Sequence, residues 1–382
     1  GTIESGIVAG DGSLVLKLYY TRNKYIVTYE FEGNIIPKGA VVPSDEEHLF
    51  EENVTIAADV IIPGYIFDGW HTNDDNSLKV ANTDTIFTMP SNNVSLYGSF
   101  IPFDDVNYEI HHYLQSLDGT YSDPSAENGT LEIKEDGVTG ETVKATVKEF
   151  DGYTFERNNS NNIMDGIVTV DKNGNGTLVL KLYYERNKHK VHYSYYSDKD
   201  NNYVIPSGAS ELPEEKEYKY QETVTIEKDG FIEGYTFIGW STLNNSTLTI
   251  ENNEFEMPNR EVYLRGTFKA NIDTPYKVEF YYEKDGKYEG ASNSVTRTGT
   301  TDTLVKVTDE DKIPNNDKYV FDSSKTDELE GTVLGNGTLV LKVYFKRLYT
   351  VTYNDGVEDE DIFEDIIYDE LEYGEGTPEI EV

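Results

Sequence analysis

The chain has 382 residues, with 32 Lys and Arg against 71 Asp and Glu, a formal net charge of −39, and no cysteine. A field of that sign repels nucleic acid and anionic lipid. Without thiols there is neither a disulfide framework nor a thiolate metal site, so stability must come from cores and hydrogen bonds. No run of about 18 apolar residues is present to span a membrane, and aromatics at 13%, mostly Tyr, spread along the chain with Val and Ile, exclude long disorder. No leader, sorting signal or anchor is legible, and the sequence opens and closes mid-pattern.

The length exceeds that of one small domain, and one stretch is written three times: GDGSLVLKLYYTRN (10–23), GNGTLVLKLYYERN (174–187) and GNGTLVLKVYFKRL (335–348). The LVLK cores lie 164 and then 161 residues apart, a long-period internal repeat. Each core reads as a strand after a Gly-rich turn. Leu178, Leu180 and Leu182 share one face, and Val179, Lys181 and Tyr183 the other. A second strand follows almost at once (KYIVTYEF, HKVHYSYY, YTVTY), a junction expected to limit bending between neighbours.

Taken in order, residues 1–23 are the closing part of an A-type module. Residues 24–102 form a B-type module: an opening strand, NIIPKGAVVP, the strand ENVTIA, the segment PGYIFDGW, a polar loop, and FTMPSNNVSLYGSF. Residues 103–187 form a complete A-type module, with VNYEIHHYLQ as a strand, LDGTY as a hairpin turn, GETVKATVKEF as another alternating strand, then FDGYTFE. Residues 188–272 repeat the B plan, 273–347 the A plan, and 348–382 begin a further B module. Trp70 and Trp240 occupy matching G-W steps 170 residues apart, and Met89 and Met257 share an F-x-M-P context; all four read as core anchors. Helix signals are sparse. Only the charged segments 44–53 (SDEEHLFEEN) and 212–221 (LPEEKEYKYQ) would take a turn of helix. Period-2 alternation with frequent Gly, Asn and Asp turns predicts mainly β structure, mostly antiparallel.

The B units, with GY(I/T)F(D/I)GW in the middle and MPxxxVxLxGxF at the end, resemble the internalin-type B repeat, also called the Listeria–Bacteroides repeat. Their longer, Pro-containing first half departs from the shortest members. The A units, with VNYEIHHYLQSLDGTYS, TGETVKA, FDGYTFE and GTLVLKLYYERN, resemble the mucin-binding-protein (MucBP) repeat. Alternation of the two is similar to the stalk of large cell-wall-anchored surface proteins of Gram-positive gut bacteria. The resemblance implies small β-grasp-like modules arranged as an elongated rod, an extracellular, cell-surface location through regions outside this chain, and no catalytic residues.

The residues themselves offer little chemistry. His48, His71, His111, His112, His189 and His192 include no pair spaced to share a metal from one element; His111 and His112 point to opposite faces, as do His189 and His192. Asp171, Asn173 and Asn175 imitate the start of a calcium loop, but position 12 is Leu182 and no helices flank it, so a hairpin turn is expected. Asp74, Asp75 and Asn76, or Asp198, Asp200 and Asn201, are the loop sets that would hold a structural calcium ion; no other cofactor is expected. Lys17, Lys181 and Lys342 recur opposite the Leu face, where they are either solubilising or partners in a cross-link from Lys to Asn or Asp. Two functions follow: a non-enzymatic, monomeric stalk or spacer, or modules that themselves bind host mucin or another glycoprotein, with tyrosines of the YY, YYE and SYY runs stacking on sugar rings. An enzyme such as a glycosidase would need two carboxylates in a shared cleft, for which the repeats offer no large domain.

Overall fold

Alternating apolar and polar residues make a strand buried on one face, and the opening strand of each segment follows that rule. In Lys24–Phe31, Val27 and Tyr29 turn inward while Thr28 and Glu30 do not. The computed structural model describes residues 1–73, 78–243, 248–356 and 363–379. Strand dominates them, and the helical content among the described residues is one 3-10 turn at Glu310–Lys312. The chain divides into two compact units, Gly1–Asn187 and Lys188–Val382.

The first unit holds two cores. In the first, Lys24–Phe31 pairs antiparallel with Glu46–Leu49 and parallel with the closing strand Val94–Gly98. Tyr65–Phe67 pairs with Phe100–Pro102, and a separate ladder of Asn53–Thr55 and Ile86–Thr88 supplies Val54 and Phe87 to the same core. Trp70, Met89 and Leu96 complete it, at 2%, 0% and 0% exposure. Around the second core, Val106–Leu114 lies between antiparallel Leu131–Gly137 and parallel Val179–Arg186, with Tyr153–Phe155 beyond the latter. Thr142–Lys144 and Asp165–Ile167 make the accompanying ladder. Leu180 and Leu182 are fully buried, and burying each such side chain contributes about 2 kcal/mol relative to exposure.

The second unit repeats both patterns. Lys188–Tyr196 lies between Lys216–Lys219 and Val262–Ala270, with Tyr235–Thr242 outermost. Thr274–Tyr282 lies between Asn293–Gly299 and Val340–Arg347, with Tyr319–Phe321 outermost. Thr223–Thr225 with Glu254–Glu256, and Leu304–Lys306 with Glu330–Thr332, are the two small ladders. Tyr349–Tyr353 then pairs with Ile366–Leu371. A-type and B-type segments, whose sequences share little beyond a YxF step (GYxF in three of the four, KYVF at 318–321), therefore have one topology. Opening and closing strands form a parallel central pair, and parallel pairing needs a crossover rather than a hairpin. Here that crossover carries a two-stranded ladder.

Three expectations are corrected. The segments read as helical turns, 44–53 and 212–221, contain the strands Glu46–Leu49 and Lys216–Lys219. Pairing with the opening strand overrides the helix propensity of Glu and Lys. Two residues beyond each strand lies a left-handed residue, Glu51 (φ 63°) and Gln221 (φ 62°). The Glu52 and Glu222 carboxylates accept the Leu49 and Lys219 amides at 2.7 Å. The first LVLK copy is not a strand; its ladder contact is a bridge from Lys17 to Ile3, and Val15 is 62% exposed. A strand without neighbours has no ladder to join. Of the alternating stretch 140–150, only Thr142–Lys144 forms a strand.

Candidate functional site: the joint between modules

Both units carry the same contact between their B-type and A-type segments, built on the first two residues of GYxF. Gly64 has φ 84°, and a Cβ there would stand 2.6 Å from Thr139 Cγ2 and 3.1 Å from Val170 Cγ2. Only a glycine permits both the left-handed backbone and this approach. The Gly64 carbonyl accepts the Phe103 amide at 2.9 Å, and the Phe103 carbonyl accepts the Thr139 amide at 2.9 Å. In the second unit Gly234 (φ 81°) would bring a Cβ within 2.3 Å of Gly335 Cα and 2.9 Å of Thr301 Oγ1. The Asn271 amide donates to Gly234 O and the Thr301 amide to Asn271 O, each at 2.9 Å.

The tyrosines differ in partner. Tyr235 Oη donates to the Asp302 carboxylate, and burial, reinforced by that carboxylate, pushes its pKa up to about 12. Tyr65 Oη instead sits where a Cβ on Gly140 would be, 2.6 Å away. Thr301 is 2% exposed and shares a 2.7 Å hydroxyl hydrogen bond with Thr274. The joint is thus a chain of backbone hydrogen bonds with a close-packed glycine, which fixes neighbouring segments more tightly than side-chain contact alone. GYxF was legible as a repeat motif. Its role here was missed, although a Gly-Tyr pair recurring ahead of a strand hinted at a special backbone position.

Of the tyrosines in the YY, YYE and SYY runs, Tyr19 and Tyr20 are exposed, at 63% and 87%, whereas Tyr183 and Tyr281 pack on other tyrosines. Tyr113 and Tyr183 stack at 4.6 Å with planes 9° apart, and Tyr121 meets Tyr183 edge-on at 4.9 Å. Tyr281, Tyr344 and Tyr288 repeat the trio in the second A-type segment. Their hydroxyls are held by acids: Tyr121 by Glu156, Tyr288 by Asp322 at 2.9 Å, Tyr344 by Glu328 at 2.9 Å. Burial and those carboxylates push Tyr121 and Tyr344 up to about 12.

The remaining candidates are scattered. His111 faces outward against Glu109, whereas His112 is fully buried between Tyr184 Oη (2.9 Å) and Glu132 (2.8 Å). His48 lies beside Glu46 and Glu52, and His71 beside Glu32. His189 meets Asn259, and His192 stacks on Tyr263 beside Glu215 and Glu261. Among the described residues no group of three or more His, Asp or Glu is arranged to hold a metal ion. Asp171 accepts the Asn173 and Asn175 amides in a hairpin turn, and Asp198 accepts the Asp200 amide in another. Asp74, Asp75 and Asn76 lie outside the described residues. Lys342 pairs with Glu328 at 2.7 Å at the surface; Lys181 is half-buried, and Lys17 is exposed. Trp70 and both Met side chains are core residues as expected, and Trp240 is partly covered.

Residues 29–102 and 213–272 match the family described as the divergent InlB B-repeat domain. Both matches fall in the B-type segments, which are similar to that repeat family. Among solved structures, one similar chain comprises Streptococcal High Identity Repeats in Tandem (SHIRT) domains 3-4 from a cell surface protein. It is 15% identical, with 43% of this chain and 98% of that chain covered and a TM-score of 0.20. No curated protein matches the chain.

Proposed function

We propose that the chain is a non-enzymatic repeat region of an extracellular, bacterial cell-surface protein, acting as a stalk that holds other parts of the protein away from the cell wall. The observation that carries this reading is the joint. The same glycine-tight, backbone-bonded contact occurs twice, at Gly64 and at Gly234, where a flexible string of domains would have a free linker. The match of two segments to a repeat family supports it, as does a net charge of −39, which keeps neighbouring chains apart. Resemblance of the intervening segments to MucBP repeats, and attachment to a Gram-positive wall, belong to the same proposal. Small-angle scattering tests it. A compact chain of this length would have a radius of gyration of about 21 Å, and a row of modules should give roughly twice that. A value near the compact one would sink the stalk.

The rival reading, in which the modules grip mucin through exposed tyrosines, gains less support. In the complete A-type segments Tyr183 stacks on Tyr113 and Tyr281 on Tyr344, spending ring faces on each other, which leaves Tyr19 and Tyr20 as the exposed members of those runs.

A further inference from the structure

One cleft stands out against the acidity of the chain. In the second unit a hairpin turn at residues 198–203 leans over the joint, leaving a space of about 700 Å³ beside residues 269–272 and 300–303. That volume suits a small ligand. No Asp or Glu lines it, although the protein has 71 of them, and two lysines, Lys199 and Lys269, do. Neither lysine belongs to an ion pair among the described residues. Lys269 Nζ stands over the Tyr203 ring, 5.7 Å from its centre. Of the acids next to the lining in sequence, Asp198 accepts Asp200 N at 3.0 Å and Asn201 Nδ2 at 2.8 Å, and Asp302 accepts Tyr235 Oη, while Asp200 and Asp273 are exposed beside it.

The turn is held at both ends. Asp198 and Tyr203 exchange backbone hydrogen bonds at 2.8 Å, and the Val204 amide donates to Phe268 O at 3.1 Å. The cleft is not a general property of the joint. Between Phe31 and Pro37 the first unit has five fewer residues than the second has between Tyr195 and Pro206, and Ile101 stands where Lys269 does. The lining adds apolar surface, including Val204 and Ile272 (78% exposed), next to the Thr300 hydroxyl and the Asn202 amide.

We infer that this cleft binds a carboxylated sugar of the uronic-acid type, with Lys199 and Lys269 holding the carboxylate and Tyr203, Val204 and Ile272 meeting the ring. A carboxylate bound between Lys199 and Lys269 would accept charge-assisted hydrogen bonds from both ammonium groups. A pyranose ring supplies the mixture of C–H faces and hydroxyls that the lining presents. The site does not depend on the stalk reading, since scattering would be the same with or without it.

Calorimetric titration of the full chain tests the assignment, using D-glucuronate, D-glucose and inorganic phosphate as probes. Glucuronate should bind at least tenfold more tightly than glucose. The double variant Lys199→Gln/Lys269→Gln should lose at least tenfold for glucuronate with an unchanged circular dichroism spectrum, because both side chains are exposed. Ile272→Ser should weaken glucuronate without affecting phosphate. Absence of glucuronate binding, equal binding by the double variant, or phosphate binding as tightly as glucuronate would each overturn it.

Discussion

His112 and Tyr184 occupy, in the second core, the places that Phe280 and Phe345 occupy in the fourth. One core thus has a buried Glu132–His112–Tyr184 hydrogen-bonded line where the other has two stacked phenyl rings 6.5 Å apart. Burial lowers the His112 pKa, opposed by Glu132 and aided by Lys148 and His111; the Phe150 ring packs on its edge. A histidine whose folded pKa is depressed favours folding when neutral. Stability is therefore present above the unfolded value near 6.5 and is lost as pH falls below it. Glu132 is lowered chiefly by its hydrogen bond to His112, so its share is lost only in more acid solution. In the fourth core Asp311 and Asp322 are lowered despite burial, by Arg297 and Ser324 respectively, and matter only below the ordinary Asp range. Hydrogen exchange corrected for intrinsic rates should show Val106–Leu114 losing protection between pH 7.5 and 5 while Thr274–Tyr282 holds. Copying the fourth core with His112→Phe/Tyr184→Phe should flatten the difference; equal acid responses in the unmodified protein would refute it.

For single elements, the instructive pair is Gly234 and Gly119. Both have positive φ, 81° and 90°, but a Cβ at Gly119 meets open space whereas at Gly234 it meets the Gly335 backbone. Gly119→Ala should cost about 1–2 kcal/mol for the left-handed backbone alone. Gly234→Ala should cost about 1–3 kcal/mol more, as overpacking does, and should speed exchange of the Asn271 and Thr301 amides. Equal losses in denaturant unfolding would mean that the joint contact contributes nothing. This scale also shows what was legible in sequence. The opening strands and the LVLK closing strands Val179–Arg186 and Val340–Arg347 were, because their alternation is long and their buried residues are mostly Leu, Val and aromatics. The short strands Leu131–Gly137 and Asn293–Gly299 were missed, since LEIKEDG and NSVTRTG bury too little to betray a period. Glu46–Leu49 was misread because its residue types favour helix in isolation. The three LVLK copies make the point most directly: two are central strands, and the one spanning residues 14–17 has only the isolated bridge from Lys17 to Ile3, with Val15 and Leu16 exposed. Nor could the joint be read, because it depends on residues such as Gly64 and Thr139 brought together from separate segments.

For the whole molecule, the parallel central pair has a consequence that outweighs any single contact. Where opening and closing strands run side by side in the same direction, the chain enters a module at one end of the sheet and leaves at the other. Tension applied along the chain then loads the ladder between those strands in shear. In the second, third and fourth cores six residue pairs stand in register along it, and five in the first. They must yield together; an antiparallel hairpin pulled from its open end would instead unzip one bond at a time. Single-molecule stretching of the chain should accordingly give a few abrupt, well-separated ruptures, one for each such module, and gradual lengthening at low force would count against it. Each module of this design would keep its folded length under pull until a threshold force is reached, then lengthen as a unit.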